Sequence, residues 1–273
     1  MRIVAAIPNY NATNTLVALV GQLAAEKFDK IFILDDFSTN QAPLRKCAAL
    51  DRRVEIILGK KNLGPGANRN RIMTQTDADI VFFIDADMEL RTSDLLPKIE
   101  ASFRDEGIGI VGYNILNKKG ELMEWNFGPE MHPAKDLQAE LIYYFLKLPL
   151  PGSLRRRLIK AGGLYSDGRR LTLLKRRRVD WVAEGCFAIR LGAFRAIGGY
   201  DEAMRYHETH DLGHRMRDSG YRVVFDPVIT ARHLELSVRK DRRADRLSAR
   251  RYFMKKYHAR SVMAVVDRLL SRQ

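Results

Sequence analysis

The stretch "DIVFFIDADMEL", residues 79–90, decides the fold. Its run "IVFFI" (80–84) is apolar at every position and rich in β-branched and aromatic residues, the pattern of a strand covered on both faces. Two carboxylates, Asp85 and Asp87, close the run with Ala86 between them. If the strand continues through them they share a side, and like charges so close repel unless a cation lies between. Oxygen ligands at this spacing suit a hard divalent ion such as Mg2+ or Mn2+, and carboxylates just past a buried strand need a partner of some kind. A solvated turn is the competing reading.

Outward from that strand, similar runs recur at 2–7, 30–36, 54–58 and 109–114, with helical patterns near 14–26, 41–50, 66–76 and 93–103. Strand alternating with helix predicts an α/β protein with a mainly parallel sheet flanked by helices, and such sheets bind ligands at the carboxyl ends of their strands. The unusual residues fall at those ends: Pro8, Asn9 and Tyr10 after the first, Asp35 and Asp36 after the second, Asp85 and Asp87 after the fourth. Beyond residue 115 the rhythm changes. A strand is expected at "LMEWNFG", an amphipathic segment at "LQAELIYYFLKLPL", another strand at "WVAEGCFAIR", and a basic helix at the end in which Phe253, Tyr257, Val262, Val265 and Leu269 recur near helical spacing.

The formal net charge of +14 is unevenly spread. Residues 152–178 hold ten Lys and Arg against one acid, and 239–273 hold twelve against three, so the rest of the chain is mildly acidic. The basic segments suit an anionic membrane surface, nucleic acid or an acidic acceptor. Nucleic acid is disfavoured because no recognised binding motif accompanies the charge. Cys47 and Cys186 have no metal-like spacing, which favours a reducing compartment. No apolar run reaches the roughly 20 residues of a membrane span, and the first residues read as a strand rather than a signal peptide. A cytoplasmic protein, peripheral on the inner face of the cell membrane, is the expectation.

Four further stretches carry chemistry. In "NLGPGANRNR" (62–71), Gly64 and Gly66 permit close backbone approach, the following helix could aim N–H groups at an anion, and Arg69 and Arg71 add charge; taken alone, a plain turn and helix cap is the favoured reading. Asp35 and Asp36 could accept hydrogen bonds from a nucleobase or ribose, or shape a turn. "YHETHDLGHR" (206–215) holds His210 and His214 four apart, a zinc spacing, but Asp211 stands where a metalloprotease places Glu. Its other readings are a helix start capped by Thr209, with Asp211 paired to Arg215, or a general base at Glu208 or Asp211. His233 becomes a metal ligand if the sheet edge brings it beside Asp87.

Taken in order, "IPNYN", "LDDFS" (34–38), "NLGPGANRN" (62–70), "IDADM" (84–88), "EGCFAIR" (184–190), "IGGYDE" (197–202), "ETHDLGHR" (208–215), "GYRV" (220–223) and His233 resemble the family 2 inverting glycosyltransferases of the GT-A fold. The resemblance spans residues 2 to about 237. It implies a GT-A domain over 1–237, with a nucleotide-binding half at 1–115 and an acceptor-side half at 116–237, and a basic helical extension at 238–273. It further implies a nucleotide-sugar donor lined by Pro8, Asn9, Tyr10, Asp36, Asn62, Gly64, Arg69, Asp85 and Ala86. Mn2+ or Mg2+ would be held by Asp87 and His233, and Trp181, Glu184 and Gly185 would lie on the acceptor side. Family members commonly carry Asp where this chain has Thr209, and a hydroxyl is no base near neutral pH, so Glu208 is favoured over Asp211 as base. The acceptor is expected to be a glycan or a lipid-linked molecule met at an anionic membrane, with Trp125, Tyr143, Tyr144 and Arg155 to Arg157 among the acceptor-side residues. A polyprenyl phosphate clamped by those arginines is the alternative.

Overall fold

A computed structural model describes residues 1–123, 126–130, 151–154, 175–204, 206–234 and 243–258. Four parallel strands make one half of its sheet: β1 (Ile3–Asn9), β2 (Ile31–Asp35), β3 (Val54–Leu58) and β4 (Ile80–Ile84) stand in the order β3-β2-β1-β4. Because they run the same way, the residues that follow Asn9, Asp35 and Ile84 all gather at one edge. α1 (Asn14–Ala24), α2 (Ala42–Leu50), α3 (Pro65–Asn70), a 3-10 turn (Arg71–Thr74) and α4 (Leu95–Ser102) connect these strands and the next.

The period-two alternation of a strand divides the core. Ile3, Ala5 and Ile7 of β1 pack with Leu16, Leu19 and Leu23 of α1 and Ile99 of α4, whereas Val4 and Ala6 face Ile72 and helices from the second half of the chain. Burial on both faces explains why the strands read as unbroken apolar runs.

Beyond β4 the sheet is mixed. β10 (Cys186–Arg190) pairs antiparallel with both β4 and β6 (Ile108–Leu116), and β11 (Arg222–His233) runs parallel to β6. β11 has a register break between Phe225 and Thr230, before which it pairs with β8 (Arg177–Val179) and after which with β5 (Met88–Leu90). A separate two-stranded ribbon joins β7 (Phe127–Gly128) to β9 (Trp181–Val182). Three short departures from the sequence reading follow. The expected strand at 181–190 is two, broken at Ala183-Glu184-Gly185; the end of the basic run is sheet; and the helix expected to 76 tightens into the 3-10 turn after Asn70.

α5 (Leu191–Ala196), α6 (Glu208–Asp218) and α7 (Arg243–Tyr257) complete the described elements. Among the described residues no helix is long and apolar enough to cross a membrane. The amphipathic segment at 137–150, most of the basic stretch, and Val262, Val265 and Leu269 lie outside the described residues.

Candidate active site

At the carboxyl ends of β1 and β2, Asn9 donates to Asp35 at 2.6 Å and to the Ser38 hydroxyl at 3.2 Å. Asp35 is fully buried and also accepts from the Ser38 backbone and hydroxyl, so its charge is spent within this knot. Asp36 accepts from the backbone N–H groups of Leu63 (2.8 Å) and Gly64 (2.9 Å). Asp36 thus holds the loop that enters α3, whose N-cap is Gly64. Asn62 reaches the Asp36 carbonyl at 3.5 Å, and Gly64 adopts a left-handed φ of 89° that glycine takes without strain. Pro8 is half-buried opposite Leu34, while Tyr10 stands 53% exposed at the edge.

Arg69 sits at the centre. It is 1% exposed, donates to Asp85 Oδ1 at 2.6 Å and to Glu184 Oε2 at 3.2 Å, and lies 5.9 Å from the centroid of the Tyr200 ring. Burial works against its charge, yet Asp85 and Glu184, with Tyr200 and Glu208 behind them, outweigh that and push its pKa up. Arg71 is used otherwise, donating to the carbonyls of Asp35 and Ile57, where it ties strand ends together.

The fourth strand ends just before Asp85. β4 stops at Ile84, and Asp85-Ala86-Asp87 forms a turn closed by the Met88 N–H on the Asp85 carbonyl at 3.0 Å. The two acids do not share a strand face; each has its own cationic or imidazole partner. Asp85 takes Arg69, and Asp87 Oδ2 lies 3.2 Å from His233 Nε2. Register explains the second pair, since β5 and β11 align Met88 with His233, and the Leu234 N–H closes on the Asp87 carbonyl at 2.9 Å. Ala86 is buried inside the turn, and the Gly185 carbonyl accepts the Asp85 N–H at 3.0 Å. A Cβ on Gly185 would stand 2.2 Å from the Met88 side chain. Among the described residues no three His, Cys, Asp or Glu side chains form a metal-binding group. Asp87 and His233 would supply two ligands to a divalent ion, leaving positions for diphosphate oxygens and water, and a carboxylate with an imidazole matches Mn2+ better than oxygen-seeking Mg2+.

α6 opens sharply. His207, in the left-handed region at φ 60°, precedes Glu208, so the helix is entered at His207 and not capped by Thr209 as expected. Glu208 is 8% exposed. Thr209 lines a small cavity with Trp181, Glu184 and Tyr200. Asp211 pairs with Arg215 as the spacing predicts, through two hydrogen bonds of 2.9 and 2.5 Å, and accepts two more from Lys256 Nζ (2.7 Å) and the Tyr257 hydroxyl (2.6 Å). Its lone pairs are occupied. The histidines diverge: His210 stacks on Trp181 with centroids 4.5 Å apart, whereas His214 pairs with Glu130 and Asp218. Desolvation, with His207 second, pulls the His210 pKa down to about 3, so the ring is neutral. Trp181 is buried and donates to the Pro129 carbonyl at 2.8 Å.

Tyr200 and Lys256 are participants that spacing did not mark, and Tyr257 was marked only as one position of a helical pattern. The partners of these three lie on other elements, so no local pattern announces the contacts. Trp125, Tyr143, Tyr144 and Arg155 to Arg157 lie outside the described residues.

The sequence profile described as Glycosyl transferase family 2 matches residues 4–168, and the chain belongs to that family. Among curated relatives, a pre-mycofactocin glycosyltransferase of Mycobacterium tuberculosis is 23% identical over 228 residues, covering 83% of this chain and 41% of the relative. The chain thus spans less than half the length of that relative. Solved structures with the same fold include GalNAc-T7 with UDP, GalNAc and Mn2+ (TM-score 0.59, 16% identity, 85% of this chain and 44% of that one). The S. aureus TarS fragment 1-349 with UDP-GlcNAc gives a TM-score of 0.58 at 15% identity, over 92% of this chain and 65% of that one. The mannosyltransferase PcManGT from Pyrobaculum calidifontis, with GDP-Man and Mn2+, gives 0.57 at 13% identity, over 87% and 58%. The fold is GT-A.

Proposed function

We propose that this chain is a metal-dependent inverting glycosyltransferase that moves a sugar from a nucleoside-diphosphate donor to a hydroxyl of a glycan or lipid-linked acceptor. The observation that carries the reading is the placement of Asp87 and His233, 3.2 Å apart, one turn from the buried Asp85–Arg69–Glu184 bridge and at the edge where β1 and β2 also end. The relatives crystallised with Mn2+ and UDP, or with GDP-Man, support a donor of this kind.

In this reading Asp87 and His233 would hold Mn2+, which when bound would neutralise the departing nucleoside diphosphate. Asp36, Asn9, Pro8 and Tyr10 line the nucleoside, with Asn62, Gly64 and Ala86 shaping the backbone around it. Arg69 holds Asp85 toward the ribose. Glu208 takes the proton from the acceptor hydroxyl; the oxygen bonds to the anomeric carbon from the side opposite the diphosphate, and the bond to the diphosphate oxygen breaks with its electron pair leaving on the nucleotide. Asp211 is the weaker candidate for base because four hydrogen bonds occupy its oxygens. Trp181, Glu184 and Gly185 back the acceptor side. A role in surface polysaccharide or glycolipid synthesis, at the inner face of the membrane, extends the same reading.

Glu208→Gln is the direct test. It should retain Mn2+-dependent nucleotide binding while transfer falls by about a hundredfold or more, the size of a lost general base. Transfer at the wild-type rate would place the base elsewhere.

A further inference from the structure

The sequence presents the C-terminal segment as a basic attachment, but its described helix is joined to the catalytic half by buried contacts. Ala249, Phe253 and Met254 of α7 are 8%, 0% and 3% exposed. Phe253 lies edge-on to His210 and His214 of α6, each 6.4 Å away between centroids, and the Tyr257 ring lies 4.0 Å from that of His214. Phe253 and Tyr257 are thus taken up by α6.

The polar contacts are more specific than the packing. Lys256 Nζ bridges Asp201 and Asp211 at 2.7 Å each, Tyr257 donates to Asp211 at 2.6 Å, and Tyr252 donates to Asp201 at 3.0 Å. Asp211 is fully buried, so its charge requires these donors. Its other oxygen is held by Arg215, whose guanidinium also donates to the carbonyls of Ile197 (2.8 Å) and Gly199 (2.6 Å). That turn has no room to slacken. Gly199 has φ 73°, a Cβ there would meet Asn70 Oδ1 at 2.4 Å, and the same Asn70 oxygen accepts the Tyr200 N–H at 2.6 Å, fixing the ring beside Arg69. A continuous set of contacts runs from α7 through Asp211 and Arg215 to the residues around Arg69.

We infer that α7 is a latch for the active centre, with Lys256 and Tyr257 as positioning residues that fix α6, and hence Glu208, through Asp211. The part concerning Glu208 rests on the function proposed above; the latch itself rests on the contacts alone. Without the latch, Asp211 keeps Arg215 but loses half its donors, and the start of α6 is free to shift relative to the Arg69 bridge.

The test is hydrogen–deuterium exchange on the full chain and its Lys256→Met/Tyr257→Phe variant, with Lys256→Arg as the conservative control. The inference expects exchange over residues 197–218 to rise by about tenfold or more in the double variant, with 31–36 and 54–58 unchanged, and protection retained in Lys256→Arg. Unchanged exchange over 197–218 overturns it. So does a rise spread evenly over the whole sheet, which would mean α7 merely adds global stability. With Mn2+ and UDP-GlcNAc or GDP-mannose, release of UDP or GDP should lose about tenfold in kcat with KM within about twofold, since orientation and not donor binding is disturbed. If Glu208→Gln keeps full turnover while the double variant loses both protection and kcat, the latch stands and the assignment of the base falls.

Discussion

Arg69 Nη2 meets Asp85 Oδ1 at 2.6 Å from a position only 1% exposed, and the same guanidinium reaches Glu184 from the other side. A cation so placed fixes two acids from distant parts of the chain. Arg69→Met should leave both without their counter-charge and lower stability by about 2–3 kcal/mol, toward the low end because Asp85 keeps 31% of its side chain in water. Urea unfolding measures it, and a loss below about 1 kcal/mol would show that solvent replaces the bridge.

Asp36 closes the loop before α3 by accepting two backbone N–H groups. Asp36→Ala should therefore cost about 1–2 kcal/mol of stability, the cost of leaving backbone donors without their acceptor, and Asp36→Asn should recover part of it. Equal unfolding midpoints for the three proteins would deny the carboxylate this role.

His210 gives the fold an acid-sensitive point. Its folded pKa is depressed by desolvation, to about 3, so the unfolded chain binds the proton first. Stability is full above the ordinary imidazole value near 6.5 and declines as pH falls from there toward about 3. His210→Phe should flatten that part of the urea-midpoint profile between pH 7 and 4. A profile as steep as the wild type's would assign the acid loss to other groups.

How much of this was legible depends on the range of each interaction. The β1 to β4 strands and their helices follow from apolar runs, which report burial locally, and Val54–Leu58 falls on its predicted bounds. The Asp85–Asp87 turn stood only as a competing reading, because no glycine or proline marks where β4 stops. β8 was hidden inside "RRRV", where Arg177 lies 5.6 Å from the Phe127 ring centroid instead of in a solvated tail. The pairing of Asp87 with His233 was foreseen only as conditional on the sheet edge, since it depends on β5 and β11 meeting across more than a hundred residues. Tyr257 showed only as one position of a helical pattern and Lys256 as one basic residue among many; the buried Asp211 gives both their meaning.

The central claim is that a divalent ion and a nucleoside diphosphate bind together at Asp87 and His233. Thermal unfolding with a panel of nucleoside diphosphates, with and without Mn2+, tests it most directly in wild type, Asp87→Ala and His233→Ala. At ligand about 100 times its Kd, binding adds about 2.7 kcal/mol, a rise in Tm of about 5–10 °C for a chain of this size. The account predicts such a rise for at least one nucleotide in the wild type, dependent on Mn2+, reduced in His233→Ala and abolished in Asp87→Ala. The same Mn2+-dependent rise in Asp87→Ala would contradict it.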